Sequence, residues 1–144
     1  MIIDEMKLKD LPKILNLNIQ LGYPGKLENL QKRFQIISLL KENVLFVARD
    51  SSSNAIGFIH VESQYSLLDE PRCELKALIV DTKFRCQGIG RQLVLKAEEW
   101  SKDRSFQLIR VRTNISRAET HLFYSNLGYE KSKTSHMFIK RMDF

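Results

Sequence analysis

The sequence predicts an α/β or α+β domain of three layers. Three observations carry this: the hydrophobic period changes from helical to alternating near Val44, a near-continuous apolar run fills residues 75–80, and a glycine-bearing loop then opens an amphipathic helix. The elements follow in order. A short strand at Ile2-Ile3 precedes Leu8, Leu11, Ile14 and Leu15, whose helical spacing ends at Gly22-Tyr23-Pro24. Leu27, Leu30, Phe34, Ile37 and Leu40 recur every three to four residues as a second amphipathic helix. Val44, Phe46 and Ala48 then alternate with Leu45, Val47 and Arg49, and residues Ile56 to Ser63 repeat the pattern beyond the polar turn Asp50 to Asn54. That is an antiparallel hairpin. Arg72 to Asp81 reads as a strand buried on both faces, at the centre of the sheet. The loop Thr82 to Gln87 leads into a helix opened by Gly88-Ile89-Gly90, with Ile89, Leu93, Val94, Ala97 and Trp100 as its stripe. Leu108 to Thr113 is expected as a strand, Ser116 to Leu127 as a helix, and Tyr129 to Met142 as one or two strands turning near Lys133.

A chain of 144 residues with 43% hydrophobic residues has enough apolar side chain to close one core, so residues 1–144 are expected to form a single domain. No run reaches the roughly 18 apolar residues of a membrane span, and Met1 to Asp10 mixes acids with bases, unlike a signal peptide. A soluble, cytoplasmic protein is expected. Cys73 and Cys86 have neither CxxC spacing nor neighbouring histidines, which points to free thiols and no metal site. The net charge of +6 is unevenly spread: residues 1–70 carry eight bases and nine acids, residues 71–144 fifteen and eight. The second half is therefore suited to something anionic, whether a polynucleotide, a membrane surface or a phosphorylated small molecule.

The loop Arg85-Cys86-Gln87-Gly88-Ile89-Gly90-Arg91 narrows that choice. A helix N-terminus leaves about four backbone N–H groups unpaired and carries roughly half a positive charge. Gly88 and Gly90 lack the Cβ atoms that would hold a pyrophosphate away, while Arg85 and Arg91 add charge and fork-shaped donors. The loop has neither the GK[ST] ending of a P-loop nor GxGxxG.

The run from Leu78 to Gly90 resembles the signature of the GNAT superfamily of N-acyltransferases, a core strand followed by [Arg/Gln]-x-x-Gly-x-[Gly/Ala]. Thr113-Asn114, Arg117, His121 and Phe123-Tyr124-Ser125-Asn126-Leu127-Gly128-Tyr129 resemble a second family segment, Asn followed by Phe-Tyr-x-x-x-Gly-[Phe/Tyr]. The detailed resemblance covers residues 72–144, and the element order of residues 1–65 is also similar. It implies an α/β/α domain with a central mixed, mostly antiparallel sheet, acetyl-CoA as cosubstrate, and transfer of an acetyl group to a primary amine by direct attack on the thioester. Cys86 departs from many relatives, which carry glycine there.

The resemblance also implies roles. Arg85, Cys86, Gln87, Gly88, Ile89, Gly90 and Arg91 would hold the CoA pyrophosphate. The main chain of Leu78, Ile79 and Val80 would pair with pantetheine through a local splay of the strand, the Leu78 amide facing the thioester oxygen. Asn114 would hydrogen-bond pantetheine. An amine of pKa about 10.4 is almost fully protonated at pH 7, so a base is needed, and Glu74 matches the family's glutamate, acting directly or through water. Tyr124 matches the tyrosine that protonates the departing thiolate, with Phe123 turned to the core in its place. The plainer readings make Glu74 a structural partner of Arg72 or Lys76, and Tyr124 a core aromatic. His60 and His121 read first as structural histidines.

Tyr23, His60, Tyr65 and Arg72 are the candidates for the acceptor pocket. A small amine is favoured because neither Gly22-Tyr23-Pro24 nor Tyr129 to His136 is long enough to build a peptide groove. The alternatives are a protein lysine or N-terminal acetyltransferase, a non-catalytic CoA sensor, and a basic nucleic-acid-binding module. The last lacks aromatics interleaved with its basic stretch, so no nucleic-acid or membrane partner is expected. A homodimer is left open.

Overall fold

Pro12 and Gly22 bracket the first helix. The computed structural model describes residues 1–113 and 116–143. Strand β1 (Ile2–Glu5) leads through a single 3-10 turn, Leu8–Asp10, into α1 (Leu11–Gln20). Pro12 suits the first turn, where its missing N–H has no acceptor to lose, and Gly22 ends the helix at φ +95°. Leu8 is exposed rather than part of the helical stripe, and Leu17 joins Leu11 and Ile14 in the core. The reason is Asp10, whose Oδ2 accepts the Lys7 N–H at 2.8 Å and tightens the chain just before α1.

The second helix, α2 (Leu27–Leu39), precedes the hairpin of β2 (Asn43–Arg49) and β3 (Ala55–Gln64). In its turn Asp50 Oδ1 accepts the N–H groups of Ser52 and Asn54, both at 2.9 Å, while Ser53 takes the left-handed φ of +66°. Strand β4 (Arg72–Val80), α3 (Ile89–Asp103) and β5 (Ile109–Val111) complete the sheet in the order β1-β2-β3-β4-β5, with β4 and β5 parallel and the other pairs antiparallel. Among the described residues β3, not Arg72 to Asp81, is therefore the middle strand.

The chain divides into two compact units, Met1–Arg112 and the residues from Thr113 onward. Within the first, α1 and α2 bury Leu11, Ile14, Leu17 and Leu30 against Val47, Phe58 and Ile79 on one sheet face. On the other, α3 buries Ile89, Leu93, Val94 and Ala97. Trp100, expected on that stripe, is displaced by Ser101, whose hydroxyl donates to the Ala97 carbonyl at 2.8 Å; the indole carries the Arg104 guanidinium 4.6 Å from its ring centre. Gly57 lies where β3 and β4 approach closely: a Cβ there would sit 3.0 Å from the Ile79 carbonyl oxygen.

The second unit holds α4 (Ala118–Asn126), closed by Gly128 at φ +90°. Tyr129 to Met142 does not form the expected strands. Alternation makes a strand only when its backbone groups are paired, and no ladder includes this segment among the described residues, where Phe138 is 93% exposed. No helix among the described residues is long and apolar enough to cross a membrane.

Candidate active site

At the end of β4 the chain is turned by Asp81, whose N–H donates to the Ile56 carbonyl at 2.8 Å and whose carboxylate accepts the Lys83 N–H at 3.0 Å. A 3-10 turn, Thr82–Phe84, follows, held by Gln20 of α1, which accepts the Thr82 N–H at 3.0 Å. Cys86 at φ +63° and Gly88 at φ +79° then swing the chain into α3. Few side-chain-bearing residues adopt the Cys86 conformation, so glycine would carry less strain there. Among the described residues the backbone N–H groups from Gln87 to Arg91 donate to no protein acceptor. They line the positive end of a helix fifteen residues long. A Cβ at Gly88 would meet nothing within 4 Å, so the space beside Gly88 is open. Arg85 is tied back, its Nε donating to the Val80 carbonyl at 3.1 Å. Amides, open space and two arginines suit a pyrophosphate.

Among the described residues, the adjoining part of β4 is open along one edge. Its register with β3 shifts between His60 and Val61: Val61 faces Leu75 and His60 faces Ala77, so Lys76 has no partner and forms a bulge. Strand β5 pairs with β4 only over Cys73, Glu74 and Leu75. The Asp81 N–H points to β3, so by strand alternation the amides of Leu78 and Val80 point the other way, to the edge that β5 does not cover. Ile79 faces β3 and buries its side chain among those of α1 and α2.

Glu74 lies on the sheet face that also carries α1 and α2, beyond the area the helices cover. Its side chain is 9% exposed. Oε1 accepts from Arg110 Nε at 3.2 Å and Arg112 Nε at 3.3 Å, and Oε2 from Gln64 Nε2 at 2.7 Å. Burial pushes the carboxyl up, but Arg110, Gln64 and Arg112 outweigh it and hold it below its ordinary 4.5. Arg72 and Lys76 are engaged elsewhere, Arg72 with Asp69 at 2.7 Å and Lys76 with Glu62 at 3.8 Å. His60 shares this face; its Nε2 meets Asn43 Oδ1 at 2.7 Å, and burial, then Lys76, push it down to about 4. It is a neutral ring at pH 7.

The structure thus brings His60, Arg72 and Glu74 onto one face, but not the two tyrosines. Tyr23 is exposed in the turn between α1 and α2. Tyr65 follows Gln64, so it points away from Glu74, and packs 5.9 Å from Phe106 in a cleft of about 240 Å³ shared with Glu70, Pro71 and Arg104. Asn114 lies outside the described residues. In the second unit Tyr124, not Phe123, is the buried member of the pair, at 8% exposure. It packs edge-on to Phe123 at 5.0 Å and Tyr129 at 5.5 Å, and burial pushes its phenol up to about 12.

Residues 11–129 match the model of the acetyltransferase (GNAT) family. This chain belongs to the GNAT family. Over 96 residues it is 32% identical to the aminoalkylphosphonate N-acetyltransferase of Salmonella typhimurium, a match covering 66% of this chain and 62% of that protein. The matched stretch is thus under two thirds of that relative's length. Among solved structures, the aminoglycoside antibiotic 6'-N-acetyltransferase of Acinetobacter baumannii superposes with a TM-score of 0.85 at 18% identity, covering 99% of both chains. The aminoglycoside acetyltransferase AAC(6')-Iy, bound to the bisubstrate analogue CoA-S-monomethyl-acetylneamine, superposes at 0.83 with 21% identity and 98% of both chains covered. These likenesses establish the GNAT fold.

Sequence reasoning missed Arg110, Arg112 and Gln64 around Glu74. A signal was present: in Ile109-Arg110-Val111-Arg112 the charges alternate, which puts both guanidinium groups on one face of a strand. What they would meet there was not readable, because Glu74 and Gln64 arrive from strands 36 and 46 residues away in sequence.

Proposed function

We propose that this protein is a cytoplasmic acetyl-CoA-dependent N-acetyltransferase acting on the primary amine of a small molecule. The observation that carries the reading is the juxtaposition, at one end of β4, of amides from Gln87 to Arg91 and a strand edge at Leu78 and Val80 that are both left unpaired among the described residues. The amides and Arg91 hold the pyrophosphate. The Leu78–Val80 edge takes the pantetheine arm, and the Leu78 N–H steadies negative charge on the thioester oxygen. The name of the Salmonella relative supports a small acceptor.

A carboxylate held below 4.5 is a weak base toward an ammonium of pKa about 10.4. Glu74 therefore takes the proton, directly or through a water, only as the nitrogen bonds to carbon and its acidity rises. Tyr124 faces the opposite limit. A phenol near 12 does not fully give its proton to a thiolate whose conjugate acid has a pKa of about 8.5, so it serves as a hydrogen-bond donor to the departing sulfur. Tyr124→Phe should lower kcat about tenfold, the worth of one hydrogen bond to a charged atom, and leave KM for acetyl-CoA near its original value. Steady-state kinetics with an unchanged kcat would return Tyr124 to a packing role.

Gly88→Val tests the cradle. An added Cβ meets no atom within 4 Å, but a β-branched residue resists φ +79° and its bulk stands over the amides. Calorimetry should show CoA affinity down at least tenfold with the thermal transition kept. Full affinity would remove the loop from the site. The reaction is tested by thiol release from acetyl-CoA with a panel of amines. Small amines should exceed lysine peptides in kcat/KM; a tenfold advantage for the peptides would make the protein a protein acetyltransferase.

A further inference from the structure

We propose that Arg112, backed by Arg110, is a specificity-determining residue that selects acceptors carrying an anionic group a short spacer away from the amine. The inference rests on the acetyltransferase reading and adds to it the charge of the substrate. It begins from a charge imbalance on the polar face of β3, β4 and β5. Two guanidinium groups share a single carboxylate oxygen, Glu74 Oε1, at 3.2 and 3.3 Å. Both distances exceed the 2.7–2.9 Å of a strong charge-assisted bond, as expected when one anion serves two cations. The other local acid, Glu62, is 3.8 Å from Lys76. With Arg72 on the same face paired to Asp69 at 2.7 Å, Glu62 and Glu74 are left to face Lys76, Arg110 and Arg112, and the surplus falls on Arg112, whose side chain is 63% exposed.

Arg112 is also the guanidinium with donors to spare. Arg110 uses Nε on Glu74 and Nη2 on Gln64. Arg112 uses only Nε, and among the described residues its two terminal nitrogens donate to nothing. A planar fork with both ends open fits the paired oxygens of a phosphonate, phosphate or carboxylate. Its place along the strands fits as well. Because Val111 pairs with Leu75, Arg112 falls beside the Lys76 bulge, between Glu74 and the Leu78 edge. An amine poised between those two residues would carry its neighbouring substituent to the guanidinium. A further orphan donor lies on the same face: Arg72 Nε is buried and has no hydrogen-bond partner. A polycationic acceptor would meet repulsion here.

The test compares aminoethylphosphonate with propylamine, an amine of similar length that lacks the anionic group, in wild type, Arg112→Gln and Arg112→Lys. The readout is the ratio of kcat/KM for the two amines, which cancels any effect of the substitution on Glu74. Wild type should prefer the phosphonate; Arg112→Gln should lower the ratio by about 10- to 100-fold through KM, with Arg112→Lys recovering part of it. A ratio that stays put in Arg112→Gln overturns the proposal while the acetyltransferase reading stands. Calorimetric titration of the CoA-loaded protein with aminoethylphosphonate separates the two in the other direction. Binding that depends on Arg112 supports the anion site even if neither amine is acetylated, and binding indifferent to Arg112 overturns it.

Discussion

Glu74→Gln is expected to slow amine acetylation by about 10²- to 10⁴-fold, the usual worth of a positioned base. The substituted amide keeps the size of the side chain and can still accept one hydrogen bond, so the loss would report charge and basicity. The pH dependence follows from the direction in which the carboxyl is shifted. It is held below 4.5 by Arg110, Gln64 and Arg112, so it stays ionised through neutrality, and its limb in the kcat/KM profile belongs at the acid end. The rise toward alkaline pH belongs to the acceptor amine. Glu74→Gln should abolish the acid limb and leave the amine's limb in place. A wild-type rate in a folded Glu74→Gln protein would show that the acid serves only to hold Arg110 and Arg112.

The largest effect on stability should come from Asp10→Asn, far along the sheet from Glu74. Arg49 and Asp10 are both buried, and they form a two-pronged pair: Nη1 to Oδ1 at 2.6 Å and Nη2 to Oδ2 at 2.9 Å. Arg49 Nε also reaches Asp4 at 2.7 Å. Removing one partner leaves a buried charge without its counterion, which costs about 3–5 kcal/mol. For a chain of this size that lowers the midpoint of thermal unfolding by about 10 °C or more. Burial pushes the Asp10 carboxyl up, but Arg49 and the Lys7 N–H outweigh it, so the net shift is downward from 3.8. The pair therefore contributes fully above the unfolded value near 3.8, and its contribution fades as pH falls through the lower folded value. Asp10→Leu combined with Arg49→Met should recover most of the loss, since two apolar side chains leave no orphan charge. Calorimetry showing Asp10→Asn within 1 °C of wild type would mean that Asp4 alone satisfies Arg49.

The two buried charge sites differ in how they could have been found. Asp10 and Arg49 carry no local mark: each stands in a stretch that reads as a helix start or a strand end, and only the pairing of β1 with β2 brings them together. Arg110 and Arg112 do carry one, in the alternation of charge along β5. The order Phe123-Tyr124 was readable as a motif, but which ring is buried depends on contacts with Tyr129 that neighbouring spacing does not specify. The final apolar residues illustrate the opposite error, since Met137-Phe138-Ile139 has strand composition but pairs with no strand among the described residues.

By itself the sequence determined what depends on nearby residues. These are the helical and alternating periods, the turns at Gly22 and Asp50, the glycine loop before α3, and through the loop's resemblance the GNAT family. Such features arise from backbone preferences and from side chains a few positions apart, so they are written locally. Tertiary structure alone decided the unpaired bulge at Lys76, the open edge at Leu78 and Val80, and the sharing of Glu74 between two arginines. Each of these depends on which strand lies beside which and in what register, and register is set by the burial of whole faces rather than by any one segment.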